Sequence, residues 1–198
     1  MLEALVLFLL AALPLLGSPG PATLSIAATG SVYGVARGAP YMVGVVLGTI
    51  VVVLLVATGL TGLLFAIPGV LPVLSVAALC YILYLAYKIA TAPVLAADVE
   101  KATAPSLYGG LLLAIANPKA FAAVIAVFAS ITVYPEHPVI DAALKSAALA
   151  VLVTGVNCIW LALGAALSRL LHHPRLGRVV NIGFAILLLL SVGLVVLM

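Results

Sequence analysis

The stretch Leu2–Ala28 reads LEALVLFLLAALPLLGSPGPATLSIAA, with Glu3 as its single charge. A spanning helix needs about 20 consecutive apolar residues, and this run is long enough. Its interior, however, holds Gly17-Ser18-Pro19-Gly20-Pro21. Each proline removes an amide donor and clashes with the carbonyl one turn back, so two prolines around a glycine predict an outright interruption. Lipid cannot satisfy the backbone groups released. Such a break is tolerated only where protein packs on it or where it lines a wet cavity. The segment Leu2–Leu16 could pass for a signal-peptide core, but it lacks a basic leader and its apolarity continues past Pro21. We read it as a retained first span.

The rest of the chain has the same character. Of 198 residues, 67% are hydrophobic and 7% are charged, and the mean hydropathy is +1.45. A soluble domain carries about 25% charged residues, so the solvent for this surface is the lipid bilayer. The net charge of +3 comes from 8 Lys and Arg against 5 Asp and Glu, too sparse for the basic patch that nucleic acid requires. Cys80 and Cys158 form no CxxC pair and no metal-ligand spacing. They read as small buried hydrophobes. No motif calls for a cofactor or for an enzymatic reaction.

Charge-free stretches divide the chain into six expected spans. Span 1 is Leu2–Ala28, span 2 Ala39–Phe65 and span 3 Val70–Ile89. Span 4 is Ser106–Val133, span 5 Val139–Leu167 and span 6 Arg178–Leu197. Ile67-Pro68-Gly69 supplies the turn between spans 2 and 3. Thr91–Pro105 is the one substantial polar loop. Six spans place both termini on one side. The opposite loops hold Arg37, Lys88, Lys101, Arg169, Arg175 and Arg178, against Lys145 alone on the terminal side. By the positive-inside rule, loops 1–2, 3–4 and 5–6 are cytoplasmic and both termini face outward.

Span 4 repeats the oddity of span 1, with Asn117-Pro118-Lys119 in its interior. The two breaks lie about 98 residues apart, each in the first span of a three-span unit. Because three is odd, the second unit is inverted relative to the first. The expected fold is an all-α membrane protein, a single transmembrane domain over residues 1–198. It comprises two inverted three-helix repeats, about 1–92 and 104–198, with spans 1 and 4 broken. Paired interruptions in corresponding positions point to a transporter's central site.

Lys119 is the most informative residue. Its nearest charged neighbours, Lys101 and Glu136, are roughly 25 Å away along a helix, beyond the reach of a lysine stem. An ammonium at the bilayer centre costs at least about 2.5–3.5 kcal/mol, so Lys119 should face the bundle interior or water. Its partner is open among backbone carbonyls, Asn117, the broken end of span 1 and a bound anion. Two roles stay open with it: a site for a substrate carboxylate, or a structural lysine holding the freed carbonyls. The candidate binding set is Ser18, Pro19, Gly20, Pro21, Asn117, Pro118 and Lys119, with Asn157, Tyr81 and Tyr84. Asn157 is costly in lipid and serves either as helix–helix glue or as site lining. Tyr81, Tyr84 and Tyr87 form a stripe ending at Lys88. Gly44 and Gly48 form a GxxxG pair that permits close helix contact. Trp160, His172 and His173 carry no specific signal.

These residues together resemble the LysE/RhtB family of amino-acid exporters. The resemblance rests on Pro19-Gly20-Pro21, on the end of the third hydrophobic segment, Tyr81-Ile-Leu-Tyr84-Leu-Ala-Tyr87-Lys88, and on Asn117-Pro118-Lys119. Their order and spacing fit over essentially the whole chain. Departures lie at Ile50–Val53, aliphatic where the family often has a polar or aromatic residue, and at Ala114, where it often has Asn. The resemblance implies efflux of amino acids or similar small metabolites across the bacterial inner membrane, driven by protons, with a homodimer open. Lys119, Glu136 and Asp141 are the candidate proton carriers. Two other classes compete. A metal-ion exporter needs intramembrane carboxylates, thiolates or imidazoles, and His137, His172 and His173 fall at loops. A thiol–disulfide electron conduit of the CcdA/DsbD type needs cysteines in spans 1 and 4, which have none.

Overall fold

Pro21 begins the longest helix described in the computed structural model, which covers residues 1–92, 102–170 and 174–196. These residues form eight helices and no strand. They are α1 (Leu2–Gly17), α2 (Pro21–Ala57), α3 (Leu60–Ala66), α4 (Val70–Ala90), α5 (Leu107–Ile115), α6 (Pro118–Ser130), α7 (Pro138–Leu170) and α8 (Pro174–Val196). The expected break between α1 and α2 is present at residues 18–20. The second falls between α5 and α6, whose axes differ by 59°. The helix containing the tyrosine stripe, α4, lies within a residue of its expected bounds.

The boundary between spans 1 and 2 differs from the sequence expectation. No polar loop follows Ala28. The helix runs on to Tyr33, because Thr29 and Ser31 turn their hydroxyls back onto the carbonyls of Ser25 and Ala28. Only Gly34 leaves helical geometry, at φ 75° and ψ 177°. At about 1.5 Å per residue, 37 residues would reach some 55 Å as one rod; the kink at Gly34 divides that length. Span 2 was also expected to reach Phe65, but α2 ends at Ala57 and the short α3 follows after Gly59, which has φ 73°. The Gly34 conformation belongs to glycine alone, while a methyl there would meet no neighbouring atom. Gly34→Ala is therefore expected to cost about 1–3 kcal/mol by backbone strain, read as a lower unfolding midpoint in detergent; an unchanged midpoint would show that the kink relaxes freely.

The first half of α2 is the centre of the molecule. Between Pro21 and Tyr33 every residue except Ala22 is buried. Helices α5, α6, α7 and α8 all pack on α2. Two glycine seams let the backbones approach, as small residues do where lipid supplies no hydrophobic drive. A methyl on Gly30 would run into the Leu161 carbonyl, and one on Gly164 into that of Ala27. Likewise Gly44 lies on the Leu107 carbonyl, Gly48 on Leu111 and Ala114, and Gly110 on the Tyr41 carbonyl. The GxxxG pair is thus seated against α5.

Apolar packing forms two clusters. One gathers Leu24, Val32, Tyr41, Val45, Ile82, Leu85, Leu113 and Leu161. The other gathers Phe8, Ala12, Val52, Val53, Phe121, Val124, Val127 and Leu149. Beyond the first, Arg37 donates to the Ala102 carbonyl and Arg178 to those of Ala90 and Ala92 at the end of α4. Arg178 thus caps the C-terminal end of α4. Beyond the second, Lys145 near the start of α7 is 4% exposed and paired with Asp141 at 2.8 Å. Arg169, Arg175, Lys101, His172 and His173 have side chains outside the described residues.

The outer surface is aliphatic, with Leu7, Leu10, Leu47, Leu54, Val151, Ile159 and Leu163 all exposed. Cys80 and Cys158 are also exposed, which corrects their reading as buried residues. On a helix apolar all round, lipid and core accept a thiol equally. By length and apolarity, α2 and α7 can each cross a membrane, and the bent pair α5–α6 does so if counted as one span. Shorter apolar helical segments lie at Leu2–Gly17, Ser75–Ala90 and Leu176–Ser191.

Candidate functional site

The break after α1 leaves helix-end carbonyls that need donors. Each finds a side chain. Trp160 Nε1 of α7 donates to the Gly17 carbonyl at 3.1 Å. The Thr23 hydroxyl donates to the Ser18 carbonyl at 3.1 Å and accepts from the Gly20 amide at 3.0 Å. The Lys119 ammonium donates to Ser18 O at 3.2 Å, Ser18 Oγ at 2.9 Å and Pro19 O at 3.1 Å. Lys119 therefore bridges the two broken helices across about 100 residues of sequence.

The second break is organised by Asn117. Its Oδ1 accepts from the Lys119 amide at 3.1 Å and so caps α6. Pro118 occupies the first helical position, where its missing amide leaves nothing unpaired. Capping fixes the start of α6 and aims the lysine stem at α1. Two helix N-termini, at Pro21 and Pro118, thus open beside one cation, which favours an anion there. The C-terminal carbonyls of α1 face the same space and favour a cation.

Both breaks border one cavity of about 40 Å³, room for roughly two or three waters. Its walls come from four elements in pairs. Leu16, Ser18, Gly20, Pro21 and Thr23 line it from the first break, and Asn117, Lys119, Ala120 and Ala123 from the second. Val45 and Thr49 contribute from α2, and Val153 and Asn157 from α7, each pair one helical turn apart. The cavity lies between the two apolar clusters: Val45 belongs to one, and Ala120 to the other. A methyl on Gly20 would stand 2.7 Å from Lys119 Nζ. Because that atom ends a flexible chain, Gly20→Ala is expected to displace the ammonium while leaving the backbone in place. Losing one charge-assisted hydrogen bond is worth about 1.5–3 kcal/mol, read as a lower unfolding midpoint in detergent; an unchanged midpoint would mean that the displaced ammonium finds equivalent acceptors.

A family model described as LysE type translocator matches residues 13–198. The chain belongs to this family. With its apolar helices, it is a multi-pass membrane transporter. No curated protein and no solved structure matches the chain.

Of the sequence-derived candidates, the translocator brings Ser18, Gly20, Pro21, Asn117, Lys119 and Asn157 together around the cavity. Pro19 joins through its carbonyl. Pro118 shapes the turn. Tyr81 and Tyr84 do not line the cavity. The Tyr81 hydroxyl pairs with Tyr41 and rests on Gly109, and Tyr41 donates to Ser25 Oγ at 3.0 Å. Tyr84 is 54% exposed, with Lys88 over its ring. Gly44 and Gly48 lie in the α2–α5 seam. Sequence reasoning missed Trp160, whose role as a donor to α1 depends on a contact across more than 140 residues. Thr23 and Thr49 also line the cavity. Among the described residues, no group of three or more His, Cys, Asp or Glu is placed to hold a metal.

Proposed function

We propose that this protein is a secondary active exporter of amino acids or related small carboxylate-bearing metabolites. It works across the bacterial cytoplasmic membrane. The observation that carries the reading is the meeting of Lys119 with the broken end of α1 in one cavity, flanked by two helix N-termini. A carboxylate entering there meets a cation and two positive dipole ends. The cavity lining includes no thiol, carboxylate or imidazole, so its chemistry favours an anion-recognising carrier over the metal-ion and thiol–disulfide alternatives.

The six-span, inverted-repeat reading gains support from the pairing of the walls. The first helix of each half contributes a break, and the second contributes residues one turn apart, Val45 with Thr49 and Val153 with Asn157. In this arrangement α1 and the first half of α2 make span 1, and the rest of α2 makes span 2. The Arg37 and Arg178 end is cytoplasmic and the Lys145 end, with both termini, faces out. Protons are the proposed coupling ion. The test is transport by purified protein in liposomes with a panel of amino acids and an imposed proton gradient. The reading predicts gradient-dependent movement of at least one; none moving under any gradient would overturn it.

A further inference from the structure

Lys119 holds three acceptors, and a primary ammonium has three protons. Ser18 O, Ser18 Oγ and Pro19 O lie 3.2, 2.9 and 3.1 Å from Nζ, so the cradle satisfies the whole –NH₃⁺ group. Its elements are set before any cation arrives. Ser18 Oγ is placed by its own bond to the Leu15 carbonyl, and the Ser18 carbonyl by Thr23. The carbonyls end α1, where the helix dipole is negative. Gly20 closes one side so tightly that one added carbon would stand 2.7 Å from the nitrogen. The three acceptors match the three N–H donors of an unsubstituted ammonium, and a trimethylated head has none to give.

Resting on the export reading above, we propose that Ser18 and Pro19 form the ammonium subsite for a zwitterionic substrate, held in this closed conformer by Lys119 as an internal stand-in. When an amino acid enters, its α-ammonium takes the three acceptors. The Lys119 head swings to the substrate carboxylate, beside the N-termini at Pro21 and Pro118. Every charged group is then hydrogen-bonded, and a zwitterion leaves the site with the single net positive charge it has from Lys119 alone. A substrate with a further cationic group would add a third positive charge against one carboxylate, where the lining holds no other. The walls beyond the two charged ends are mostly apolar, Leu16, Val45, Ala120, Ala123 and Val153, with Thr49 and Asn157 as polar members, which suits a small, largely aliphatic side chain.

The test has two arms. In proteoliposomes, a neutral aliphatic amino acid is compared with its N-trimethyl derivative and with the carboxylic acid lacking the amino group. The primary amine should be preferred at least tenfold in kcat/KM, and Ser18→Ala should reduce that preference. Equal transport of the desamino acid would overturn the ammonium subsite while leaving carboxylate export intact. Absence of all transport would instead overturn the export reading. The second arm needs no transport. Trp160 is the chain's single tryptophan and bonds to Gly17 beside the cradle. In Lys119→Met, n-butylammonium should shift Trp160 fluorescence saturably, while tetramethylammonium should not, and wild type should respond to neither. If Lys119→Met does not fold, Lys119→Ala serves the same titration. A silent Trp160 in the folded variant sinks the proposal.

Discussion

Lys119→Met is expected to abolish transport while the protein still inserts and purifies. Methionine keeps most of the length and apolar bulk of the stem and removes only the charge. Truncating one partner of a buried, hydrogen-bonded charge contact costs about 2–5 kcal/mol, roughly 30-fold to several-thousand-fold in rate. Fold should suffer less, because the Ser18 carbonyl keeps the Thr23 hydroxyl as a donor. Lys119→Arg should not rescue. A planar guanidinium cannot reproduce a compact three-donor head against a glycine that leaves no room for one added carbon. Near-wild-type flux from Lys119→Met in liposomes would return Lys119 to a purely structural role.

The largest stability loss is expected at the other end, from Asp141→Ala. Asp141 Oδ1 accepts from the amides of Val133 and Tyr134 at 2.6 and 2.8 Å, and Oδ2 pairs with Lys145 at 2.8 Å. Lys145 also donates to the Phe128 carbonyl at 3.1 Å and lies over the Phe8 and Phe128 rings. The pair joins α1, α6 and α7 and fixes the turn after α6. Removing the carboxylate strands a buried ammonium, which costs about 3–5 kcal/mol. Adding Lys145→Met should recover part of this, because the stranded charge is gone. The two orphaned amides account for the rest, about 1–3 kcal/mol each. Unfolding of Asp141→Ala within about 1 kcal/mol of wild type would mean that water or a rotamer change relieves Lys145.

Much of this architecture could be read from the chain because lipid makes each polar or helix-breaking residue conspicuous. Pro19-Gly20-Pro21 and Asn117-Pro118-Lys119 located both breaks, since a proline has the same local consequence in any context. Pro68-Gly69 likewise set the start of α4. What stayed hidden depends on tertiary contacts. Thr29–Tyr33 remained helical because their hydroxyls bond back to the helix and the surrounding helices enclose it. Tyr81 and Tyr84 sit on one stripe, yet a small rotation at the edge of the bundle turns one inward to Tyr41 and leaves the other outside. Lys145 was counted only as a charge on the terminal side, although Asp141 four residues earlier was a legible helical partner. Its burial needs Phe8 from the far end of the chain. Trp160 gave no warning, as nothing local in a sequence marks a donor aimed at another helix's last carbonyl. The cysteines were misjudged for a reason particular to membranes: core and solvent are both oily, so apolarity does not tell a helix's inner face from its outer one.

The two apolar clusters either side of the Lys119 cavity bear on leakage. They share few elements: Phe8, Val124 and Leu149 seal one side, Leu24, Ile82 and Leu161 the other. Each is mostly aliphatic and aromatic, with the Tyr41 hydroxyl of one already bonded to Ser25, so a hydrated ion crossing either alone meets a steep desolvation cost. If one parts while its counterpart stays shut, export as proposed works as an airlock: cargo passes without a continuous wet path ever opening to the ion gradients on which the cell depends.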